Sequence, residues 1–208
     1  MNRRQVIAAL GLLSCAVSAW ADTSPVSVVK VINFACPICR ASEVQDSGIV
    51  SAVKNSGGRF VYAPLPAEEG DYAKERVYYA SRKQGDEVEA RVRASLYKGS
   101  QDMGLPFQNP IQVIEWLKDD LGEEVGINYV RLLTDTNDKD TSIALGKAAA
   151  VAVAGGSQGL PSYILIQQNK PAATLDPSSS GKGSSLLNLR EEVIKRISQL
   201  TTEQKPTK

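Results

Sequence analysis

The chain has 208 residues, with 24 basic and 23 acidic side chains and no histidine. Beyond the first few positions no basic run occurs, which excludes an electrostatic nucleic-acid surface. The length suits one domain with room for an inserted subdomain, and three cysteines are too few to staple it, so the core must form by burial alone.

Residues 1-21 read as an export signal. Arg3 and Arg4 form its positive end, and Val6 to Val17 is apolar but too short to span a membrane. Ala19-Trp20-Ala21 fits a small-x-small cleavage site. Arg3-Arg4-Gln5-Val6-Ile7 loosely matches a twin-arginine signal, and Leu12-Leu13-Ser14-Cys15 loosely matches a lipoprotein processing site. Export with cleavage after Ala21 ranks first and lipid attachment at Cys15 a distant second. Every route leaves the protein outside the cytoplasm, where disulfides persist.

Val26 to Ile32 is apolar and β-branched, the pattern of a buried strand. Phe34-Ala35-Cys36-Pro37-Ile38-Cys39-Arg40 follows, and Ala41 to Gln45 continues as a helix with Pro37 in its first turn. Gly57-Gly58 stops that helix. Arg59 to Pro66 reads as a second strand. From Ala67 to Ala154 the periodicity is helical: Asp71 caps a helix to about Lys83, and Asp86 caps another to about Tyr97. Asn109-Pro110 opens a third, with Ile111, Ile114 and Leu117 on one side. Val125 to Leu133 and Thr141 to Ala154 complete the set. Tyr78, Tyr79, Tyr97 and Trp116 are expected in the core. Tyr163 to Gln167 and Ala172 to Leu175 form two further strands around a turn at Asn169-Lys170. A flexible connection at Pro177 to Gly183 leads to a helix opened by Ser184 or Ser185, with Leu186, Leu189, Val193 and Ile197 at helical spacing. Residues 201-208 read as a disordered polar tail.

The chemistry sits in Cys36-Pro37-Ile38-Cys39. A helix N-terminus offers unpaired N–H groups and the positive end of a dipole, and both favour thiolate at Cys36. Cys39 lies one turn on, placed to resolve a disulfide with it. Structural zinc needs four ligands, and two sulfurs without a histidine do not supply them. A structural disulfide here would close too short a loop to constrain the unfolded chain. The pair therefore points to redox chemistry.

On these residues the sequence resembles the thioredoxin superfamily, specifically its DsbA-like periplasmic members. Strand–Cys-Pro-Ile-Cys–helix is one point of likeness. Another is Gly159-Leu160-Pro161-Ser162-Tyr163-Ile164-Leu165, which looks like the loop with a cis-proline that leads into a strand. The helical stretch between them is the last. The resemblance implies an α/β, thioredoxin-like fold with an all-helical insertion between the second and third core strands. Its parts would be 22-66 and 155-200 for the core and 67-154 for the insertion. It further implies a periplasmic thiol:disulfide oxidoreductase, foremost a dithiol oxidase, with a reductase or isomerase as the alternative. A chaperone-like peptide-binding protein is the alternative from another class. The redox group would be the Cys36–Cys39 disulfide itself, with no further cofactor and no metal. Partners would be exported cysteine-containing clients and a membrane redox protein that recycles the site, the enzyme itself being a monomer.

In that family Leu160 and Pro161 would face Cys36 and pair with an extended client. Pro37, Ile38, Lys30 and Glu43 would tune the site. Ile38 replaces the histidine of DsbA, and Lys30 stands six residues before Cys36, where a buried acid is common. Glu43 is the acid expected to pair with Lys30 and relay a proton for Cys39; the equal alternative is that Lys30 snorkels to a sheet edge.

Overall fold

The computed structural model describes residues 25–66, 72–123, 126–179 and 185–203. The signal segment, Cys15, the Asp71 cap and the last five residues of the tail lie outside them. Four strands, β1 (Ser27–Ile32), β2 (Phe60–Pro64), β3 (Ser162–Gln167) and β4 (Lys170–Leu175), form one sheet in the order β2-β1-β3-β4. β1 runs parallel to β2 and antiparallel to β3, and β3 is antiparallel to β4. Between β2 and β3 come the helices α3 (Ala73–Ser81), α4 (Asp86–Tyr97), α5 (Pro110–Leu121), α6 (Tyr129–Thr136) and α7 (Lys139–Ala154). The helical insertion read from the periodicity is therefore present.

Strand alternation divides the core in two. Val26, Val28, Tyr163 and Leu165 face Ile49 and Val53 of α2 (Asp46–Asn55) and Leu189, Val193, Ile197 and Leu200 of α8 (Leu186–Thr202). Val31, Ile164 and Ala63 belong to the larger core on the side of the insertion, with Val77, Val92, Leu96, Leu117 and Leu132. Tyr78, Tyr79 and Tyr97 are buried as expected, and Trp116 packs partly buried against the same cluster. The Tyr79 hydroxyl donates to the Pro64 carbonyl (3.1 Å) and the Tyr78 hydroxyl, at 3.5 Å, to that of Tyr62, along the edge of β2 that β1 does not occupy.

Several boundaries differ from the sequence reading, each for a local reason. The first helix is not continuous: α1 (Pro37–Ser42) passes through a 3-10 turn at Glu43–Gln45 before α2 begins. Ser42 bonds back to the Cys39 carbonyl at 2.7 Å, a local bond that competes with helix continuation and bends it. Asp86 is a first-turn acid and no cap; Gly85, at φ 110°, holds the cap position. α6 starts at Tyr129, after Asn128 accepts from the Arg131 amide, and α7 starts at Lys139, after Asp138 caps it. Ile111 is exposed, because the buried stripe of α5 runs through Val113, Ile114 and Leu117. Thr201 and Thr202 belong to α8 and not to the tail. The caps at Asn109 and Ser185 stand where the sequence places them.

α2 hands over to β2 at Gly57-Gly58, and the second glycine is sterically required. A Cβ at Gly58 would lie 1.9 Å from the Val26 carbonyl oxygen, which no side-chain adjustment relieves. Gly58→Ala is expected to cost more than about 2 kcal/mol, read as a lower midpoint in chemical denaturation. Unchanged stability would mean that β1 and β2 do not approach as described.

Candidate active site

The site forms where β1 ends. Asn33, the first residue beyond the strand, is buried and holds the loop from both ends of its amide. Its Nδ2 donates to the Leu65 carbonyl (2.7 Å), and its Oδ1 accepts from the Ala35 amide (2.7 Å). The Cys36 amide then donates to the Asn33 carbonyl (3.1 Å). Cys36 becomes the N-cap of α1, and Pro37 takes the first helical position, where its missing N–H costs nothing. The two cysteines are free thiols, Cys36 half-buried and Cys39 fully buried.

This placement separates the two sulfurs chemically. Cys36 Sγ accepts the Cys39 backbone N–H at 3.2 Å. The Cys36 thiol is lowered to about 6, chiefly by a hydrogen bond from the Cys39 thiol. Burial opposes the shift, while the Cys39 and Ile38 amides and the charge of Lys30 add to it. Cys39 moves the other way, pushed well up by that same sulfur–sulfur hydrogen bond and by burial. Ile38 is half exposed and has neither a side-chain donor nor a charge to offer.

Lys30 has no contact with solvent. Alternation turns it toward α2, on the face of Val28. Its partner is Asp46, with Nζ 2.6 Å from Oδ2. The sheet register sets Tyr62 of β2 and Tyr163 of β3 directly beside it. Both hydroxyls donate to the same carboxylate, Tyr62 to Oδ2 at 2.7 Å and Tyr163 to Oδ1 at 3.1 Å. The ammonium lies 5.5 and 5.3 Å from the two ring centroids, within cation–π range. Desolvation lowers the Lys30 pKa, and Asp46 partly restores it.

The pairing of Lys30 with Glu43 is thus corrected. The 3-10 turn redirects Glu43 toward the insertion, where it forms an ion pair with Arg93. Arg93 also binds Glu89 at 2.9 Å and stacks 3.7 Å from the centroid of the Tyr62 ring. Burial raises the Glu43 pKa against the pull of Arg93. Asp46 carried a readable signal, since Asp46, Ile49 and Val53 share one helical stripe and an acid on an apolar stripe needs a buried partner. Arg93 carried a weaker one in its i,i+4 spacing from Glu89.

The Leu160–Pro161 peptide bond is cis. Ser162 pairs with Val31, so Pro161 stands at the end of the sheet from which the Cys36 loop leaves. Leu160 and Cys36 pack against the same core, and Leu160 also lines a shallow groove of about 490 Å³ with Val31, Leu65, Ala152 and Val153. Among the described residues no cluster of three or more histidine, cysteine, aspartate or glutamate side chains is placed to hold a metal ion. None of the described helices is long and apolar enough to cross a membrane.

A mixed sheet interrupted by helices, with a Cys-x-x-Cys at a helix N-terminus and a cis-proline at the neighbouring strand, defines a thioredoxin-like fold of the DsbA type. Solved structures agree on the fold. DsbA from Xylella fastidiosa superposes with a TM-score of 0.65 at 17% identity, covering 85% of this chain and 86% of its own. The oxidoreductase NmDsbA1 from N. meningitidis gives 0.66 at 15%, with 88% and 86% covered. A thioredoxin-like oxidoreductase from Silicibacter pomeroyi gives 0.56 at 22%, with 85% and 88% covered. No family model matches the sequence, and no curated protein matches it.

The buried quartet makes a direct prediction about stability. Asp46→Leu leaves the Lys30 ammonium unpaired and should cost about 3–5 kcal/mol. Lys30→Met combined with Asp46→Leu should recover most of that loss. Urea denaturation of the two variants measures the difference; equal losses would show that the pair is not coupled.

Proposed function

We propose that this protein is a thiol:disulfide oxidoreductase that works as a dithiol oxidase on exported, cysteine-containing proteins. The observation that carries the reading is the unequal cysteine pair, Cys36 accepting an amide at a helix N-terminus and Cys39 buried behind it. In the oxidised protein a client thiolate attacks Cys36 Sγ. The Cys36–Cys39 bond breaks, and Cys39 leaves with the electron pair and takes up a proton. A second client thiolate then attacks the client sulfur of the mixed disulfide and expels the Cys36 thiolate. The client loses two electrons and two protons, and the protein gains two electrons as its disulfide opens. A low Cys36 pKa makes that thiolate a good leaving group and stabilises the reduced form, which favours oxidation of the client.

The remaining roles follow from position. Pro37 starts the helix that supplies the amides. Ile38 adds no donor, so the protein should be a milder oxidant than one with a charged residue there. Leu160 and Pro161 would offer backbone and an apolar groove to an extended client. Lys30, through Asp46 in place of Glu43, is positioned to balance the charge that appears on Cys39 when it leaves. Glu43 is reassigned to fixing Arg93 over Tyr62. A membrane redox partner would reoxidise the pair, and the periplasm is the compartment in which such a cycle operates.

Two measurements test this. Wild-type protein with oxidised glutathione should accelerate disulfide formation in a reduced client, and Cys36→Ser should abolish the effect; activity that survives the substitution would point instead to peptide binding without thiol chemistry. Iodoacetamide labelling of reduced protein should occur at Cys36, with a rate that rises through about pH 6 and is level by neutral pH, because only the thiolate reacts. Cys39 should stay unlabelled across that range. Preferential labelling of Cys39 would reverse the assignment.

A further inference from the structure

The helical insertion hydrogen-bonds the backbone of the Cys36 loop through the side chain of Gln101. After α4 the chain makes a π-helical turn, Lys98–Asp102, and wide turns of this kind concentrate at functional sites. The turn is fixed from behind. A Cβ at the buried Gly99 would lie 2.5 Å from the Phe107 ring and 2.8 Å from Trp116 Nε1. Trp116 Nε1 is itself anchored on the Ser95 carbonyl at 3.0 Å, and the Leu105 amide binds the Gly99 carbonyl at 2.9 Å. Phe107 holds φ at 45°, a conformation that persists in a non-glycine residue only where its surroundings impose it.

At the tip of this turn Gln101 Nε2 donates to the Phe34 carbonyl at 2.9 Å and to the Cys36 carbonyl at 3.1 Å. The next residue, Asp102, takes both Arg40 guanidinium nitrogens, at 2.6 and 3.0 Å, and so ties the same turn to α1. The Cys36 carbonyl also receives the Cys39 and Arg40 amides, at 3.1 and 3.3 Å. Gln101 therefore completes the set of donors around the group that fixes how Cys36 enters the helix. It also adds a donor to two carbonyl dipoles, those of Phe34 and Cys36, whose negative ends lie near the thiolate.

We propose that Gln101 is a positioning residue for Cys36: from the π-helical turn of the insertion it grips the carbonyls on either side of Ala35 and keeps the Cys36 sulfur over the Cys39 amide. The inference rests on Cys36 being the redox nucleophile, and it makes the insertion part of the redox centre. Without the grip, the loop gains freedom and the thiolate loses its alignment with the helix amides.

The test compares Gln101→Met, which keeps the volume and removes the donor, with Gln101→Glu, which replaces the donor by a carboxylate. Thiolate absorbance at 240 nm reports the Cys36 titration in each reduced protein. Gln101→Met should raise the Cys36 pKa by roughly half to one pH unit, the scale of one hydrogen bond, and Gln101→Glu should raise it further. The equilibrium with glutathione should shift by roughly threefold to fivefold at pH 7 toward the disulfide form of the protein. The melting temperature of each oxidised variant should stay within about 4 °C of wild type, which separates a lost grip from a damaged fold. A Cys36 titration in Gln101→Met identical to that of wild type would overturn the proposal. The titration needs no turnover, so it decides the role of Gln101 whether or not the protein oxidises clients.

Discussion

A lysine with no access to water, sealed between two tyrosine rings and answered by one carboxylate, is the constraint on which the sheet and the site both depend. Lys30 and Asp46 meet at 2.6 Å only because β1, β2 and β3 are in register at Lys30, Tyr62 and Tyr163, and because α2 begins over that point. Slipping either neighbouring strand by one residue would turn a tyrosine to the other face and remove a donor from Asp46. An unpaired charge in that position is expensive, so the quartet penalises wrong registers as well as stabilising the right one. The carboxylate also lies in the first turn of α2, where the helix dipole favours negative charge.

The same arrangement sets the electrostatics beneath the cysteines. A lysine occupies the β1 position from which its charge lowers both thiols. With Ile38 unable to contribute a donor, thiolate stabilisation at Cys36 is left to backbone amides, the partner thiol and the charge below. Each depends on where α1 starts, and Asn33, Pro37 and Gln101 all act on that start.

What could be read from the sequence was what neighbouring residues decide. The Cys36 motif, the Asn109 and Ser185 caps, the strand before the motif and the proline before β3 all carry their signal within a few positions. Periodicity likewise separated an all-helical stretch from the strands on either side of it. The partners of buried charges were not legible in this way. Asp46 stands sixteen residues from Lys30, and a 3-10 turn set by the Ser42 hydroxyl decides that it, and not Glu43, faces the strand. Arg93 and Gln101 contact residues that only the packing of the insertion brings near. No spacing rule links Gln101 to Cys36 across 65 residues. The register that places Tyr62 and Tyr163 on either side of Lys30 is a property of three strands at once.

The two tyrosine hydroxyls of α3 that sit on β2 have a consequence for the company this protein keeps. A sheet edge with free carbonyls invites any extended chain to add a strand to it, and incompletely folded chains are rich in extended segments. Tyr79 and Tyr78 occupy the carbonyls of Pro64 and Tyr62 on one edge, while β4 opens the other with Lys170 and Pro171, a cation and a residue without an amide hydrogen. Both flanks of the sheet are therefore blunted against sticking. For the thiol exchange proposed above, this leaves the end of the sheet at Cys36 and Pro161 as the place where an extended client would be held.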